Sequence, residues 1–161
     1  MEIQPWVFCV QAFAGESFGH FLGRFRRANY LSCKALAAHL GIRYEWVAAW
    51  EVPSRRRNPT SLQMIALSKL VRVDPQQLEE MLPPTRLHLA TRLCPACYQE
   101  VPVHRRIWQI SGIDVCQIHQ WRLLEACPGC GSGFRTPALW DSHACEYCGL
   151  PFAVMQSVNG L

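Results

Sequence analysis

The chain has 161 residues, of which 50% are hydrophobic, with 16 Lys plus Arg against 12 Asp plus Glu for a formal charge of +4. That length has room for one domain or for two small ones that are each marginal alone. Apolar runs reach only five residues, as in Trp6 to Val10, and the N-terminus Met1-Glu2-Ile3-Gln4-Pro5 has no basic stretch, so neither a membrane span nor a secretory signal is expected.

Residues 1–13 read as an extended segment, with Trp6 to Val10 lying across one module. Phe18, Phe21, Leu22 and Phe25 then recur at helical spacing behind Ser17, which predicts an amphipathic helix from Ser17 to Asn29, capped by Ser17, with His20, Arg24 and Arg27 on its polar face. A second helix starts at Ser32, carries Ala35, Leu36, Ala38 and Leu40 as its apolar positions, and ends at Gly41. A third runs from Tyr44 to Glu51. The stretch Leu31 to Glu51 resembles the helix-turn-helix of Cro/Xre-type repressors, in which a small residue, a turn glycine and a final Trp-Glu recur at these offsets.

The outward positions expected on that third helix are Arg43, Tyr44, Glu45, Ala48 and Ala49. Major-groove reading wants Arg, Lys, Asn or Gln within bidentate reach of base edges, and beyond Arg43 little here qualifies. Two more helices follow, Ser61 to Val71 with Leu62, Ile65, Ala66 and Leu70 inward, and Asp74 to Leu82. The latter opens with an N-cap aspartate, an N1 proline and Gln77 placed to close a capping box. Pro83-Pro84 ends a helix-turn-helix domain over residues 14–84.

Basic residues are unevenly spread: 11 Lys plus Arg against 7 Asp plus Glu before residue 91, and 5 against 5 after it. Lys34 and Lys69 are the only lysines, so 14 of the 16 cationic side chains are arginines, whose planar forks suit phosphate contact and stacking on bases. The run Arg55-Arg56-Arg57 is placed to touch phosphate, and with Arg24, Arg26 and Arg27 it can form a stripe for DNA or RNA. A solvated loop accounts for the same three arginines.

The C-terminal part carries the clearest chemistry. Cys94, Cys97, Cys116 and His119 form C-x2-C-x18-C-x2-H, and Cys127, Cys130, Cys145 and Cys148 form C-x2-C-x14-C-x2-C. Both match the paired-knuckle spacing of structural zinc, because a two-residue gap lets one tight turn aim two ligands at one ion. Two zinc ions per chain are expected, in fingers over residues 92–124 and 125–156. The rivals are a disulfide framework, which needs an oxidising compartment, and an iron–sulfur cluster.

Catalytic zinc keeps an open position for water, whereas each set here closes at four ligands. His143, His88 and His104 are unnecessary as ligands and read as surface or second-shell histidines. With seven thiolates against four cationic charges, the loaded C-terminal half gains roughly three negative charges, which moves any polyanion-binding surface to the N-terminal half. Cys9 and Cys33 are left over and read as inert buried thiols. The fold class expected is therefore mainly α with small zinc-bound β hairpins, a helix-turn-helix bundle followed by two tandem zinc-ribbon or treble-clef-like modules.

Across most of its length the chain resembles the TniQ family of transposition proteins. The resemblance is carried by Gly15-Glu16-Ser17-Phe18, Leu22-Gly23-Arg24, Leu93-Cys94-Pro95-Ala96-Cys97, Trp108, Cys116-Gln117-Ile118-His119, Leu123-Leu124 and Cys127-Pro128-Gly129-Cys130. The small size looks most like the minimal members found in RNA-guided, type V CRISPR-associated transposons. What the resemblance implies is a non-enzymatic adaptor in the bacterial cytoplasm, bridging a CRISPR effector and its guide RNA to the AAA+ ATPase TnsC, with contact to target DNA possible. Many members follow the knuckle histidine with glycine; here Gln120 and Trp121 stand there, so a different turn is expected. Among the tryptophans Trp6, Trp46, Trp108, Trp121 and Trp140, core burial is the expected fate, with Trp121 beside a knuckle singled out as an exposed protein-interface anchor. The alternatives are a helix-turn-helix transcriptional regulator and a stand-alone RNA-binding module. No glycine-rich phosphate loop, catalytic cysteine–histidine pair or carboxylate cluster points to an enzyme.

Overall fold

The computed structural model describes residues 8–158; Trp6 lies outside them. Five helices build the N-terminal bundle: α1 (Phe18–Ala28), α2 (Cys33–Leu40), α3 (Tyr44–Glu51), α4 (Ser61–Val71) and α5 (Pro75–Glu80). Phe18, Phe21, Leu22 and Phe25 of α1 are all buried, and they meet Leu36, Val47, Trp50, Met64, Leu67, Leu70 and Leu78 in one core. The segment ahead of α1 reaches the far end of that helix, where the Asn29 side chain accepts from the Phe8 N–H at 3.1 Å and donates to the Phe8 carbonyl at 3.0 Å.

Local signals account for four of the helix ends in the bundle. The Ser32 hydroxyl accepts from the Ala35 N–H, and Gly41 takes the left-handed φ of +66° that closes α2. Thr60 and Gln63 form a reciprocal capping box on α4 that the sequence reading passed over. At α5, Asp74 caps the Gln76 N–H. Gln77 closes no box there; its amide reaches the Ala12 carbonyl instead.

Three expectations are corrected by packing. Ser17 stands at the N-cap of α1, but its hydroxyl bonds His104 Nδ1 at 2.8 Å. The free amides are met from outside the helix, Ser17 N–H by the His104 carbonyl and Phe18 N–H by that of Met81. His20 lies not on a polar face but fully buried. In α4 the inward set is Met64, Leu67, Leu70 and Val71, while Leu62 is 80% exposed. That helix is apolar almost all round, so its periodicity did not select a face, and packing against α2 and α5 did.

Beyond the bundle come α6 (Pro95–Glu100) and three 3-10 segments, Arg106–Gln109, Pro137–Leu139 and Phe152–Val158. The expected hairpins shrink to isolated antiparallel bridges, Leu93 with Leu124, Val115 with Arg122, Ala126 with Gly133 and Ala144 with Pro151. One core serves residues from both knuckle pairs. Tyr98, Trp108, Trp140, Phe152 and Met155 fill it with five of the eight ligating-set residues, Cys94, Cys97, Cys116, Cys127 and Cys145, and with Leu93. Trp140 is its hub, with ring centroids 4.6 Å from Phe152, 5.7 Å from Tyr98 and 5.1 Å from His104.

Bundle and C-terminal core are joined along α1. Gly23 lies so close to the Pro137–Leu139 turn that a Cβ there would sit 2.2 Å from the Ala138 carbonyl oxygen. Arg27 donates to the carbonyls of Ala138 and Trp140. At the other end Glu16 bridges Arg105, and the Arg106 N–H donates to the Gly15 carbonyl.

Candidate metal centres

Three of the four knuckles share one backbone design. Cys116, Cys127 and Cys145 each accept, through their carbonyls, the N–H of the residue four positions on, Gln120, Gly131 and Gly149, all at 2.8 Å. Each of those residues has a left-handed φ, +58°, +77° and +73°. The N–H of each cysteine in turn donates to the carbonyl of the residue after that, Trp121, Ser132 and Leu150. The turn at His119 is therefore the same as the other two, not different as expected; Gln120 adopts the glycine-like conformation, and its side chain donates to the Gln117 carbonyl at 2.9 Å. The fourth knuckle differs: Cys94 is the N-cap of α6, Pro95 is its first residue, and Cys97 faces inward one turn on.

These turns bring the ligand atoms of Cys94, Cys97, Cys116 and His119 together, and likewise those of Cys127, Cys130, Cys145 and Cys148, each group within 4.8 Å. Individual separations are 3.4 Å for Cys97 to Cys116, 3.3 Å for Cys97 to His119 Nδ1, 3.6 Å for Cys127 to Cys148 and 3.7 Å for Cys130 to Cys145. A tetrahedral ion with metal–sulfur bonds of ~2.3 Å has edges of about 3.7 Å, so both groups fit one. A disulfide needs sulfurs ~2 Å apart, and all nine cysteines are free.

His119 turns Nδ1 to the cluster and Nε2 to Glu100, 2.8 Å away. That is the carboxylate–histidine arrangement that fixes a ligating imidazole and raises its basicity. Glu100 was not singled out in the sequence, although its place on α6 three residues after Cys97 puts it on the ligand's face. Arg92, equally unanticipated, is buried and ties the first module together through the carbonyls of Trp108 and Ile110, each at 2.7 Å.

Without an ion the thiols are unlike one another. Burial pushes Cys94 and Cys97 up, whereas Cys116, despite burial, is brought to about 7 by hydrogen bonds from His119 and the Ile118 N–H. A cation must displace the protons that remain, so affinity rises with pH. The second group is the more open one, with Cys130 and Cys148 exposed.

The family model of TniQ matches residues 7–123. The chain belongs to the TniQ family. That match spans the bundle and the first metal group, so the chain is an accessory factor of transposition; the second group lies beyond the matched residues. No curated protein matches the chain significantly.

In this TniQ chain the remaining site candidates separate into two sets. Arg24 is held by buried Glu16, at 2.8 and 2.7 Å, and by the Gln11 carbonyl. Arg26 grips Glu51 with two nitrogens and the Leu31 carbonyl with a third. With Arg27 on Ala138 and Trp140, these three bind the fold together and form no free stripe with the loop arginines. Arg43, Arg55, Arg56 and Arg57 are exposed. Arg57 shares a hollow of about 470 Å³ with Tyr44, Glu45, Ala48, Ala49, Val52, Pro53 and Ser54 on the outward side of α3.

Trp121 is 39% exposed and forms one wall of a cleft of about 630 Å³ with Pro95, Arg122 and Leu124. Trp46 is similarly open, while Trp50, Trp108 and Trp140 are buried. Two histidines expected at the surface or behind ligands behave so: His88 pairs with Glu125, and His143 bonds the Tyr98 hydroxyl at 2.6 Å. His104 does not, being wholly buried. Cys9 is exposed and Cys33 half-buried, so neither is the inert core thiol expected. No helix among the described residues is long and apolar enough to cross a membrane.

Proposed function

We propose that this TniQ chain is a non-enzymatic adaptor in transposon target-site selection, bridging an RNA-guided CRISPR effector and its guide RNA to the AAA+ ATPase TnsC, which recruits the transposase. The observation that carries this reading is the pairing of family membership over residues 7–123 with two ligand groups that each close at four. Zinc in both, held by three thiolates and an imidazole in one and four thiolates in the other, leaves no position for a substrate or a reactive water. Such ions shape a platform and do no chemistry.

On that platform Arg43, Arg55, Arg56 and Arg57 serve backbone phosphates of guide RNA or target DNA, being the arginines of the N-terminal half proposed for nucleic acid that the fold does not consume. Trp121 serves a protein partner, as a half-exposed indole on the rim of a cleft. The operator-reading alternative draws little support from α3, whose outward hollow is lined by Tyr44, Glu45, Ala48 and Ala49.

The test is a pull-down with ATP-loaded TnsC, with and without the RNA-guided effector. Recovery of a complex, with no ATP hydrolysis by the adaptor alone, is expected. A failure to recover TnsC under either condition would overturn the bridging role.

A further inference from the structure

A groove of about 420 Å³ runs where the bundle meets the first metal module. Gly15 and Glu80 form its bundle side; Ile107, Ile113, Val115 and Ile118 make its floor and far wall. Val115 is 44% and Ile118 62% exposed, so aliphatic surface faces water at a place where both halves of the molecule converge.

One polar group in that groove has no partner. Arg105 lines it, its Nε is buried, and no atom of the described residues accepts from it. Every other arginine of the junction is satisfied: Arg24 by Glu16, Arg27 by Ala138 and Trp140, and Arg106 by the Leu82 carbonyl at 2.6 Å. A buried charged donor left unmade is costly, so the orphan marks a place where an acceptor is supplied from outside.

We infer that this groove is a docking site for a protein segment that presents an Asp or Glu carboxylate to Arg105 between aliphatic side chains. Charge complementarity selects the anion, and the lining selects its carrier. A phosphate backbone is recognised by several convergent donors, whereas here Arg105 is the unpartnered guanidinium, its neighbour Arg106 being tied by Nε to the Leu82 carbonyl, and four aliphatic residues line the rest. A short extended peptide buries its own aliphatics on Val115 and Ile118 and lets the carboxylate make a charge-assisted hydrogen bond in a low-dielectric setting. Cys97 and Cys116 lie in the same wall, so the groove keeps its shape only while the first metal group is intact.

The inference rests on the adaptor reading for the expectation that the occupant is protein, and it is tested without TnsC, so either can fail alone. A phage library of random dodecapeptides is selected on the zinc-loaded full chain. Enriched peptides are expected to carry Asp or Glu flanked by aliphatic residues, and replacing that acid by its amide in a synthetic peptide is expected to weaken binding at least about tenfold. Arg105→Gln on the protein has the same effect, and Ile118→Ser, at an exposed position that folding tolerates, also weakens it. Selected peptides without an acid, amide versions that bind equally well, indifference to Ile118→Ser, no enrichment at all, or displacement by a DNA duplex that also depends on Arg105 would each overturn the proposal.

Discussion

His20 and His104 enclose the polar heart of the junction. Glu16, fully buried, accepts from His20 Nδ1 at 2.6 Å and from Arg24 at 2.8 and 2.7 Å, while His104 Nδ1 meets the Ser17 hydroxyl. Burial holds His104 well below the ordinary imidazole range and lowers His20 as well, against the upward pull of Glu16. Burial acts upward on Glu16, but the hydrogen bonds from His20 and Arg24 leave it below the usual carboxylate range. For all three the unfolded chain binds protons more readily than the folded one. Stability is thus fully present above the unfolded histidine pKa of about 6.5, and is lost as pH falls from there toward the folded values, with Glu16 adding the same sign below about pH 4.5. Urea titrations of the zinc-loaded chain at pH 7.5 and 5.5 are expected to show a clear loss, and His104→Asn, which keeps a donor for Ser17, to show a smaller one. Equal losses in both proteins would mean that His104 is not the neutral group described.

Among the elements, α1 serves both cores, and its small residues are what allow it. Gly23 permits the Pro137–Leu139 turn to lie against the helix backbone, and Gly19 likewise faces the Glu51 carbonyl, 2.8 Å from where a Cβ would stand. Gly23→Ala removes a helix-weakening glycine yet drives a methyl into the Ala138 backbone, which cannot yield as a side chain would. We expect a net loss of roughly 3 kcal/mol, measured by urea or thermal unfolding; a stabilised variant would show that the two elements are not in contact. The α3 ending Trp50-Glu51, read in the sequence only as a recurring dipeptide, has a physical role here. Trp50 packs its ring 6.5 Å from that of Phe18, and Glu51 clamps Arg26. At the knuckles, turn chemistry was legible for Gly131 and Gly149, and illegible for Gln120, because a left-handed φ at a residue with a Cβ has no local signature.

At the scale of the whole molecule, stability passes through the metal groups. Structural zinc contributes roughly 10 to 16 kcal/mol in isolated finger peptides, and the core around Trp140 contains residues from both ligand sets. Chelation is expected to release two zinc ions per chain, unfold the part after residue 92 and lower the melting temperature of the bundle, since α1 loses Ala138 and Trp140 as partners for Arg27. Elemental analysis, circular dichroism and hydrogen exchange of the α1 amides check the three parts. A stoichiometry below two overturns the ligand assignment, and unchanged protection in α1 overturns the coupling.

The sequence by itself determined the ligand sets, the helices of the bundle and the caps at Ser32, Gly41 and Asp74, because knuckle spacing, capping residues and glycine turns act over four residues or fewer. Tertiary structure alone decided which face of α4 turned inward, that Ser17 and His20 served the interior, and that three arginines of α1 were bound within the fold. Those outcomes depend on partners far away in the chain, His104 for Ser17, Glu51 for Arg26 and Ala138 for Arg27. An arginine that solvates a surface and one that clasps a carbonyl look alike until the chain has folded around them.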